Sequence, residues 1–328
     1  METLYFVVEV ALKNIVVIAV LMFFAAYLTL FERKVLARIQ IRYGPNRAGP
    51  FGILQPIADG IKSFFKEEII PERADKPLYI IAPIIVITAA IAMAAVIPFG
   101  DKIVLFGREI KLVVADVDIG LLYLFAIASL GEYGIVLGGW SSGNKYGVLG
   151  ALRASAQMIS YEVSLGLSVM GVLILAGSLN LREIVNAQKD MWFIVYQPFA
   201  FILYMVCAFA ELNRAPFDMP EAESELACGF NIEYSSMKFA LFFFAEYTHM
   251  LAVAGLATTL FLGGWHGPVL PGTLWFLIKV FLLVFIFIWV RATYPRLRYD
   301  QIMKLGWKVL IPLTILNLIV TAFIVAVR

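Results

Sequence analysis

Residues 237–262 have the sequence MKFALFFFAEYTHMLAVAGLATTLFL, and this stretch decides the fold class of the chain. It is longer than the roughly 20 apolar residues that a helix needs to cross a hydrocarbon core about 30 Å thick. We therefore predict that it spans a membrane. Its interior nevertheless contains Glu246, and His249 follows three residues later on the same face of the predicted helix. An ionisable side chain inside a membrane-spanning segment usually marks a functional site.

Composition extends this prediction to the whole chain of 328 residues. Its residues are 62% hydrophobic, compared with about 45–50% in soluble domains. We predict an all-α polytopic membrane protein with about eight transmembrane helices, organised as a single transmembrane domain over residues 1–328. The predicted spans are 9–31, 77–97, 117–139, 157–177, 194–212, 237–262, 273–292 and 307–327.

The distribution of lysine and arginine predicts the orientation. The loops after the first and the seventh span are rich in these residues, whereas the loops on the opposite side have few. Because cytoplasmic loops are enriched in lysine and arginine, we expect the N-terminus outside and the long loops, 32–76 and 213–236, in the cytoplasm. The basic residues of the two rich loops are Arg33, Lys34, Arg38, Arg42, Arg47, Lys62, Lys66, Arg73 and Lys76, and then Arg296, Arg298 and Lys304.

Two loops have patterns of their own. In the first cytoplasmic loop, apolar residues recur at helical spacing over residues 54–65, while Asp59 and Lys62 fall on the opposite face. This pattern predicts an amphipathic helix that lies in the membrane interface. On the outer side, residues 103–114 predict a short hairpin with its turn at Gly107.

Four glutamates lie inside predicted spans: Glu132, Glu162, Glu211 and Glu246. A carboxylate in hydrocarbon costs at least about 2.5–3.5 kcal/mol, and the predicted topology puts all four in the cytoplasmic half of the membrane. The loop 213–236 on the same side is acidic. Buried carboxyl groups that lie close together can bind and release protons near neutral pH as a coupled set. We expect an acidic path for protons from the cytoplasmic surface towards the middle of the membrane.

Other classes of site find no support in the sequence. The two cysteines, Cys207 and Cys228, match no metal or redox spacing, and the two histidines, His249 and His266, are too few for a histidine-rich metal centre. Glycine-rich nucleotide motifs and zinc-protease motifs do not occur. The formal net charge of +2 gives no reason to expect a nucleic-acid partner. We expect no metal and no bound cofactor in this chain.

Five motifs in the loops carry a family resemblance. They are ERKVLAR at 32–38, RYGPNRAGPFG at 42–52, RAPFDMPEAESEL at 214–226, EYSSMK at 233–238 and RLRYDQ at 296–301. With these motifs the chain resembles the H subunits of bacterial respiratory complex I and their mitochondrial counterpart, subunit 1 of NADH dehydrogenase. The resemblance covers essentially the whole chain.

The resemblance implies a function. The implied function is that of a multi-pass membrane-arm subunit of a proton-pumping NADH:quinone oxidoreductase in the cell inner membrane. Such a subunit is not catalytic alone. Quinone, either ubiquinone or menaquinone, is the implied substrate. The implied partners are the peripheral-arm subunits of the quinone site, adjacent small membrane subunits and membrane lipid.

The resemblance also implies roles for particular residues. It places a quinone chamber beside the amphipathic helix and the first and sixth spans, and a glutamate path that couples quinone reduction to proton translocation. The implied proton path comprises Glu132, Glu162, Glu211, Glu246, Asp218, Glu221, Glu223 and Glu225. The implied quinone-binding residues are Arg38, Arg42, Asp59, Lys62, Phe64, Arg214 and Arg298.

Two alternative functions stay open. One is the related membrane subunit of an energy-converting hydrogenase, where no quinone binds; the long glycine- and proline-containing loop after the first span favours the quinone enzyme. The other is a stand-alone proton or ion antiporter. Transporters of that kind usually show internal repeats and paired broken helices, and neither is visible in the sequence.

Overall fold

The computed structural model describes residues 2–105, 108–221 and 223–327. Within these ranges the regular structure is helical apart from one two-stranded hairpin, β1 (Lys102–Leu105) and β2 (Arg108–Lys111). The helices are α1 (Glu2–Ile39), α2 (Gln55–Phe65), α3 (Lys76–Met93), α4 (Gly120–Ser141), α5 (Lys145–Ala176), α6 (Leu181–Asn186), α7 (Phe193–Tyr196), α8 (Pro198–Glu211), α9 (Glu223–Leu226), α10 (Ser236–Phe261), α11 (Gly272–Thr293), α12 (Tyr299–Lys304) and α13 (Ile311–Val327), with a π-helical turn at Leu305–Leu310.

Seven helical segments of the described ranges are long and apolar enough to cross a membrane. They are Val10–Ile39 of α1, the helices α3, α4, α5, α10 and α11, and the continuous segment Tyr299–Val327. The protein is therefore an all-α polytopic membrane protein, as its sequence predicts. The fifth predicted span, 194–212, is the one-turn helix α7 followed by α8, a shorter apolar helix of 14 residues. The helix is interrupted at Gln197, because the residue before a proline disfavours the helical conformation.

Two helices are longer than the hydropathy pattern predicts. Helix α1 continues from the predicted end at residue 31 to Ile39, since lysine, arginine, leucine and alanine are all good helix formers. Helix α5 begins at Lys145 instead of 157, where the side chain of Asn144 accepts a hydrogen bond from the backbone N–H of Tyr146 at 2.9 Å. Both extensions place charged residues, such as Arg33 and Arg153, on regular helices.

The helices that position the candidate site are α3, α4 and α10, and α3 packs against both of the others. Close approach of α3 and α4 depends on Gly134, where a Cβ atom would lie only 2.9 Å from the carbonyl oxygen of Ala82. One turn later on the same helix, Gly138 faces the ring of Phe242 on α10. Small residues allow such close packing between membrane helices. The C-terminal half of α10, from Met250 to Phe261, is buried throughout.

The helix predicted in the first long loop and the hairpin predicted at residues 103–114 are both present. Helix α2 forms in the loop between α1 and α3 and packs against α1 and α10, while Phe64 and Phe65 at its end remain exposed. Exposed aromatic side chains on an amphipathic helix suit a membrane interface, and the location of α2 in the interface stays a prediction. Strands β1 and β2 pair antiparallel, with Lys102 opposite Lys111; the predicted turn at Gly107 lies outside the described residues.

Candidate functional site

Three of the four intramembrane glutamates line one cavity. Glu132 on α4, Glu211 at the end of α8 and Glu246 on α10 share it with Glu221 and His249, and we call it the glutamate cavity. It has a volume of about 60 Å³. Its remaining wall is largely apolar and comes mainly from α3, α4 and α10. The cavity thus brings together carboxyl groups from three helices and from the acidic loop.

The carboxyl groups in the glutamate cavity are only partly satisfied by hydrogen bonds. Oε1 of Glu211 lies 3.4 Å from Nε2 of His249, a distance longer than a good hydrogen bond. Oε2 of Glu132 is buried with no hydrogen-bond partner within the described structure. Buried polar atoms are normally paired, so these two groups have free capacity to bind a proton or a water molecule.

Glu221 comes from the acidic loop between α8 and α10. Its Oε1 accepts a hydrogen bond from Nδ2 of Asn231 at 3.1 Å. Burial, followed by the negative charges of Glu246 and Asp218, raises the pKa of Glu221 to about 8. This carboxyl therefore holds a proton at neutral pH and can release it just above neutrality.

Glu162 lies beside the glutamate cavity rather than in its lining. Its Oε1 accepts a hydrogen bond of 2.5 Å from the hydroxyl of Ser129. Ser129 lies on α4, three residues before Glu132 and so on the same face of that helix. The structure therefore connects Glu162 to the cavity through a neighbouring residue of α4.

Glu246 also belongs to an ion cluster with Glu32, Arg214 and Arg291. Arg214 donates to Glu246 through Nε, and through Nη1 to Oε2 of Glu32 at 2.6 Å. Arg291 donates to the other oxygen of Glu32. The guanidinium of Arg214 stacks on the ring of Tyr247, 4.4 Å from its centroid. Two cations and two carboxylates balance one another in this cluster.

Arg214 is a permanent cation in this environment. Its side chain is only 4% exposed, and burial by itself lowers its pKa. The carboxylates of Glu246 and Glu32 outweigh that effect and raise the pKa of Arg214 well above its ordinary value. Glu246 is therefore ion-paired with a cation of fixed charge.

The remaining acidic residues of the implied path are tied to arginines or lie outside the description. Asp218 forms an ion pair with Arg296, and burial nevertheless raises the pKa of Asp218 above its ordinary value. Glu225 accepts from Arg153 at 2.6 Å, and this pair is partly exposed. The side chain of Glu223 lies outside the described residues.

A second cavity lies between α1, α2 and α10, and we call it the interfacial cavity. It has a volume of about 230 Å³. Asp59 and Lys62 of α2 line it, and Asp59 accepts hydrogen bonds from Arg33 at 2.8 Å and from Gln55 at 3.0 Å. Much of the rest of the wall is apolar, including Phe239, Phe243 and Phe244. Phe243 lines both cavities and therefore forms part of the wall between them.

The other implied quinone-binding residues do not line the interfacial cavity. Arg38, Arg42, Phe64 and Arg298 are exposed, and Arg214 is enclosed in the ion cluster. The structure thus separates this set into two cavity residues, one buried ion-cluster residue and four surface residues.

Sequence reasoning did not identify several residues of these sites. Glu32 lies within the motif at 32–38, but the predicted first span ends one residue before it. Recognising that α1 continues through this motif would have shown Glu32 as a buried acid. Ser129 and Phe243 carry no sequence signal, because a serine or a phenylalanine in an apolar helix is ordinary. In the described ranges, no group of three or more His, Cys, Asp or Glu side chains is arranged to hold a metal ion.

Comparison with known proteins identifies extensive similarity. The family model of NADH dehydrogenase matches residues 12–322. The chain is 56% identical over 309 residues to the second H subunit of NADH-quinone oxidoreductase of Syntrophobacter fumaroxidans, covering 94% of this chain and 93% of that protein. It is 52% identical over 338 residues to the first H subunit of the same enzyme of Geobacter sulfurreducens, covering 99% and 97%. The H subunit of Thermomicrobium roseum is 52% identical over 323 residues, with 95% of each chain covered.

Proposed function

The chain belongs to the NADH dehydrogenase family as a membrane subunit of NADH-quinone oxidoreductase, and we propose that it forms part of the quinone chamber and couples quinone reduction to proton translocation. The single observation that supports this coupling role is the convergence of Glu132, Glu211 and Glu246 in one cavity. Intramembrane acids are rare and are characteristic of proton relays.

The interfacial cavity is the proposed opening of the quinone chamber. Its apolar aromatic wall suits an isoprenoid chain, and its polar side carries Asp59 and Lys62. Apolar cavities with a few placed polar groups are typical ligand sites. Either ubiquinone or menaquinone fits this description. The surface residues Arg38 and Arg298 are proposed to face the peripheral-arm subunits of the quinone site, while adjacent small membrane subunits and lipid cover the sides of the helices.

Glu246 is the proposed link between quinone reduction and the proton path. It lines the glutamate cavity and also accepts a hydrogen bond from Arg214. Reducing a quinone builds negative charge, which attracts a nearby guanidinium. When Arg214 moves away from Glu246, the carboxylate loses its cation and takes up a proton from Glu211 or Glu221. Return of Arg214 favours the anionic form again and releases that proton into the path.

Substitution of the cavity glutamates tests the coupling role. In the assembled enzyme, Glu211→Gln and Glu246→Gln are expected to reduce quinone reductase turnover by at least about tenfold, because the amide cannot exchange a proton. The matched control is Glu183→Gln, at an exposed glutamate of α6 on the outer side, which should keep the turnover of the wild type. Assembly is checked by native gel electrophoresis. Undiminished turnover in both cavity variants would refute the glutamate path.

The proposed orientation has the N-terminus outside and the loops 32–76 and 213–236 in the cytoplasm. It follows from the positive-inside rule and is tested with a membrane-impermeant thiol reagent. In a background in which the exposed Cys228 is replaced by serine, Asn46→Cys should react only from the cytoplasmic side. Val269→Cys, in the exposed loop between α10 and α11, should react only from the outside. The reverse pattern would invert the topology.

A further inference from the structure

We propose that His249 is a proton-transfer residue of the glutamate cavity, which passes protons between Glu211 and the other carboxyl groups there. This inference rests on the proposed coupling role and adds to it a residue of a different chemical type. Its basis is the position of the imidazole among carboxyl groups and the lack of a hydrogen-bond partner at one of its ring nitrogens.

The geometry of His249 shows a group with free hydrogen-bonding capacity. Its side chain is 16% exposed and lines the glutamate cavity. Nε2 is buried with no hydrogen-bond partner within the described structure, although Oε1 of Glu211 is 3.4 Å away. A buried ring nitrogen without a partner is unfavourable in a static structure. A small closure of this gap, or one water molecule, gives Nε2 a partner that can exchange a proton.

The ionisable groups around His249 come from several of the elements that line the cavity. Helix α8 supplies Glu211, α4 supplies Glu132 with its unpaired Oε2, and the cytoplasmic loop supplies Glu221. Helix α3 contributes only apolar residues to the lining. On its own helix, α10, His249 is three residues after Glu246 and therefore on the same face.

Arg214, the cation that pairs with Glu246, already has hydrogen-bond partners in the ion cluster. Arg214 donates to Glu32 and Glu246 and contacts the sulfur of Met250. It is held outside the lining of the glutamate cavity. Among the described lining residues, His249 is the one basic group among four carboxyls. An imidazole there can accept a proton from a neutral carboxyl and become a cation that the neighbouring carboxylates stabilise.

The transfer step balances without any further reactant. The O–H bond of a protonated Glu211 breaks as the N–H bond at Nε2 forms, which gives an imidazolium and a Glu211 carboxylate. The N–H bond at Nδ1 then breaks, and the proton passes to the carboxylate of Glu132 or Glu246, directly or through water. Histidine is suited to this because its two ring nitrogens lie on opposite sides of the ring. Rotation of the ring, or a transfer in the reverse direction, restores the first tautomer.

Chemical rescue tests the proposal in the assembled enzyme. His249→Ala is expected to reduce proton-coupled quinone reductase turnover by about tenfold or more. Added imidazole should restore it with a saturable dependence on concentration, because the shortened side chain leaves room in the cavity. The matched control is His266→Ala, at the other histidine of the chain. This variant should keep normal turnover and show no response to imidazole.

The possible outcomes separate this inference from the proposed function. Loss of turnover in Glu211→Gln and Glu246→Gln together with full turnover in His249→Ala would overturn the role of His249 alone. Full turnover in the glutamate variants would overturn the coupling path itself. Loss in His249→Ala that imidazole does not restore would indicate a packing role and also overturn the inference. If His249→Ala does not assemble, His249→Gln replaces it, and an unchanged pH profile of turnover in that variant would refute proton transfer.

Discussion

Nη1 of Arg214 lies 2.6 Å from Oε2 of Glu32, although 182 positions separate the two residues in the sequence. Both side chains are almost fully enclosed. The pair joins the C-terminal part of α1 to the loop after α8, and the bond from Arg214 to Glu246 adds α10. Because α1 and α10 also frame the interfacial cavity, the ion cluster connects the proposed quinone site to the glutamate cavity.

Removal of the Arg214 guanidinium is expected to destabilise the subunit severely. Arg214→Gln leaves Glu246 without its cation and Glu32 with Arg291 alone, and an uncompensated buried charge costs about 3–5 kcal/mol. We expect less assembled complex and a lower thermal midpoint. The control is Arg153→Gln at a partly exposed pair, which should change stability by less than about 1 kcal/mol.

The double variant Arg214→Gln with Glu246→Gln separates charge balance from packing. It removes the carboxylate that Arg214→Gln leaves without a cation, so part of the lost stability should return. The thermal midpoint of the complex measures this recovery. A double variant that is as unstable as Arg214→Gln would show that the guanidinium acts mainly through packing on Tyr247.

The protonation of Glu221 predicts how stability depends on pH. The folded protein holds this proton up to about pH 8, whereas the ordinary pKa of a glutamate is 4.5. Between these values the unfolded chain binds fewer protons, so the contribution of Glu221 to stability falls as the pH rises through that window. The side chain at this position in Glu221→Gln is uncharged at every pH, so the variant lacks this decline in stability.

The difference in stability between Glu221→Gln and the wild type should therefore change with pH in one direction. The variant should gain in heat-inactivation midpoint relative to the wild type as the pH is raised from about 5 to about 9. Glu183→Gln, at an exposed glutamate, should follow the wild type throughout. Parallel pH profiles for all three proteins would show that Glu221 is not protonated in the folded subunit.

The fold could be predicted from the sequence to the extent that the hydrocarbon core dictates it. Apolar length locates the membrane helices, and amphipathic spacing locates α2. Hydropathy fails where α1 and α5 leave the apolar region, because charged residues continue a helix without adding to its hydrophobicity. It also fails at residues 194–212, where a local backbone restriction at Pro198 divides one predicted span into α7 and α8.

The sequence predicts the acidic residues of the candidate site, but it does not predict the residues that they contact. Glu132, Glu211 and Glu246 are conspicuous because charge is rare in apolar segments, and the structure places them in one cavity. The partners of these acids come from distant parts of the chain. The bond of Glu32 to Arg214 and that of Glu162 to Ser129 depend on how helices pack. No pattern of local spacing encodes such contacts.

The close packing of α3 and α4 makes Gly134 a sensitive position. Gly134→Ala forces a methyl group against Val86 and the carbonyl oxygen of Ala82, and overpacking of this kind costs about 1–3 kcal/mol. A lower thermal midpoint of the complex is expected. In the control variant Gly166→Ala, nothing lies within 4 Å of the new Cβ atom, and alanine favours the helix. Equal midpoints for the two variants would contradict the tight contact.

The interfacial cavity can be narrowed without disturbing the fold, and this tests its proposed role. Gly60 lines the cavity, and a Cβ atom built there has no neighbour within 4 Å. Gly60→Leu should raise the KM for quinone by roughly tenfold or more, since one misplaced apolar group in a pocket costs about 1–3 kcal/mol. Gly166→Leu places the same side chain on α5, away from the cavity lining, and should leave KM unchanged. Because leucine favours the helical conformation at both positions, a raised KM in Gly60→Leu alone would indicate obstruction of the cavity, whereas equal KM values in both variants would exclude this cavity as the route of the quinone.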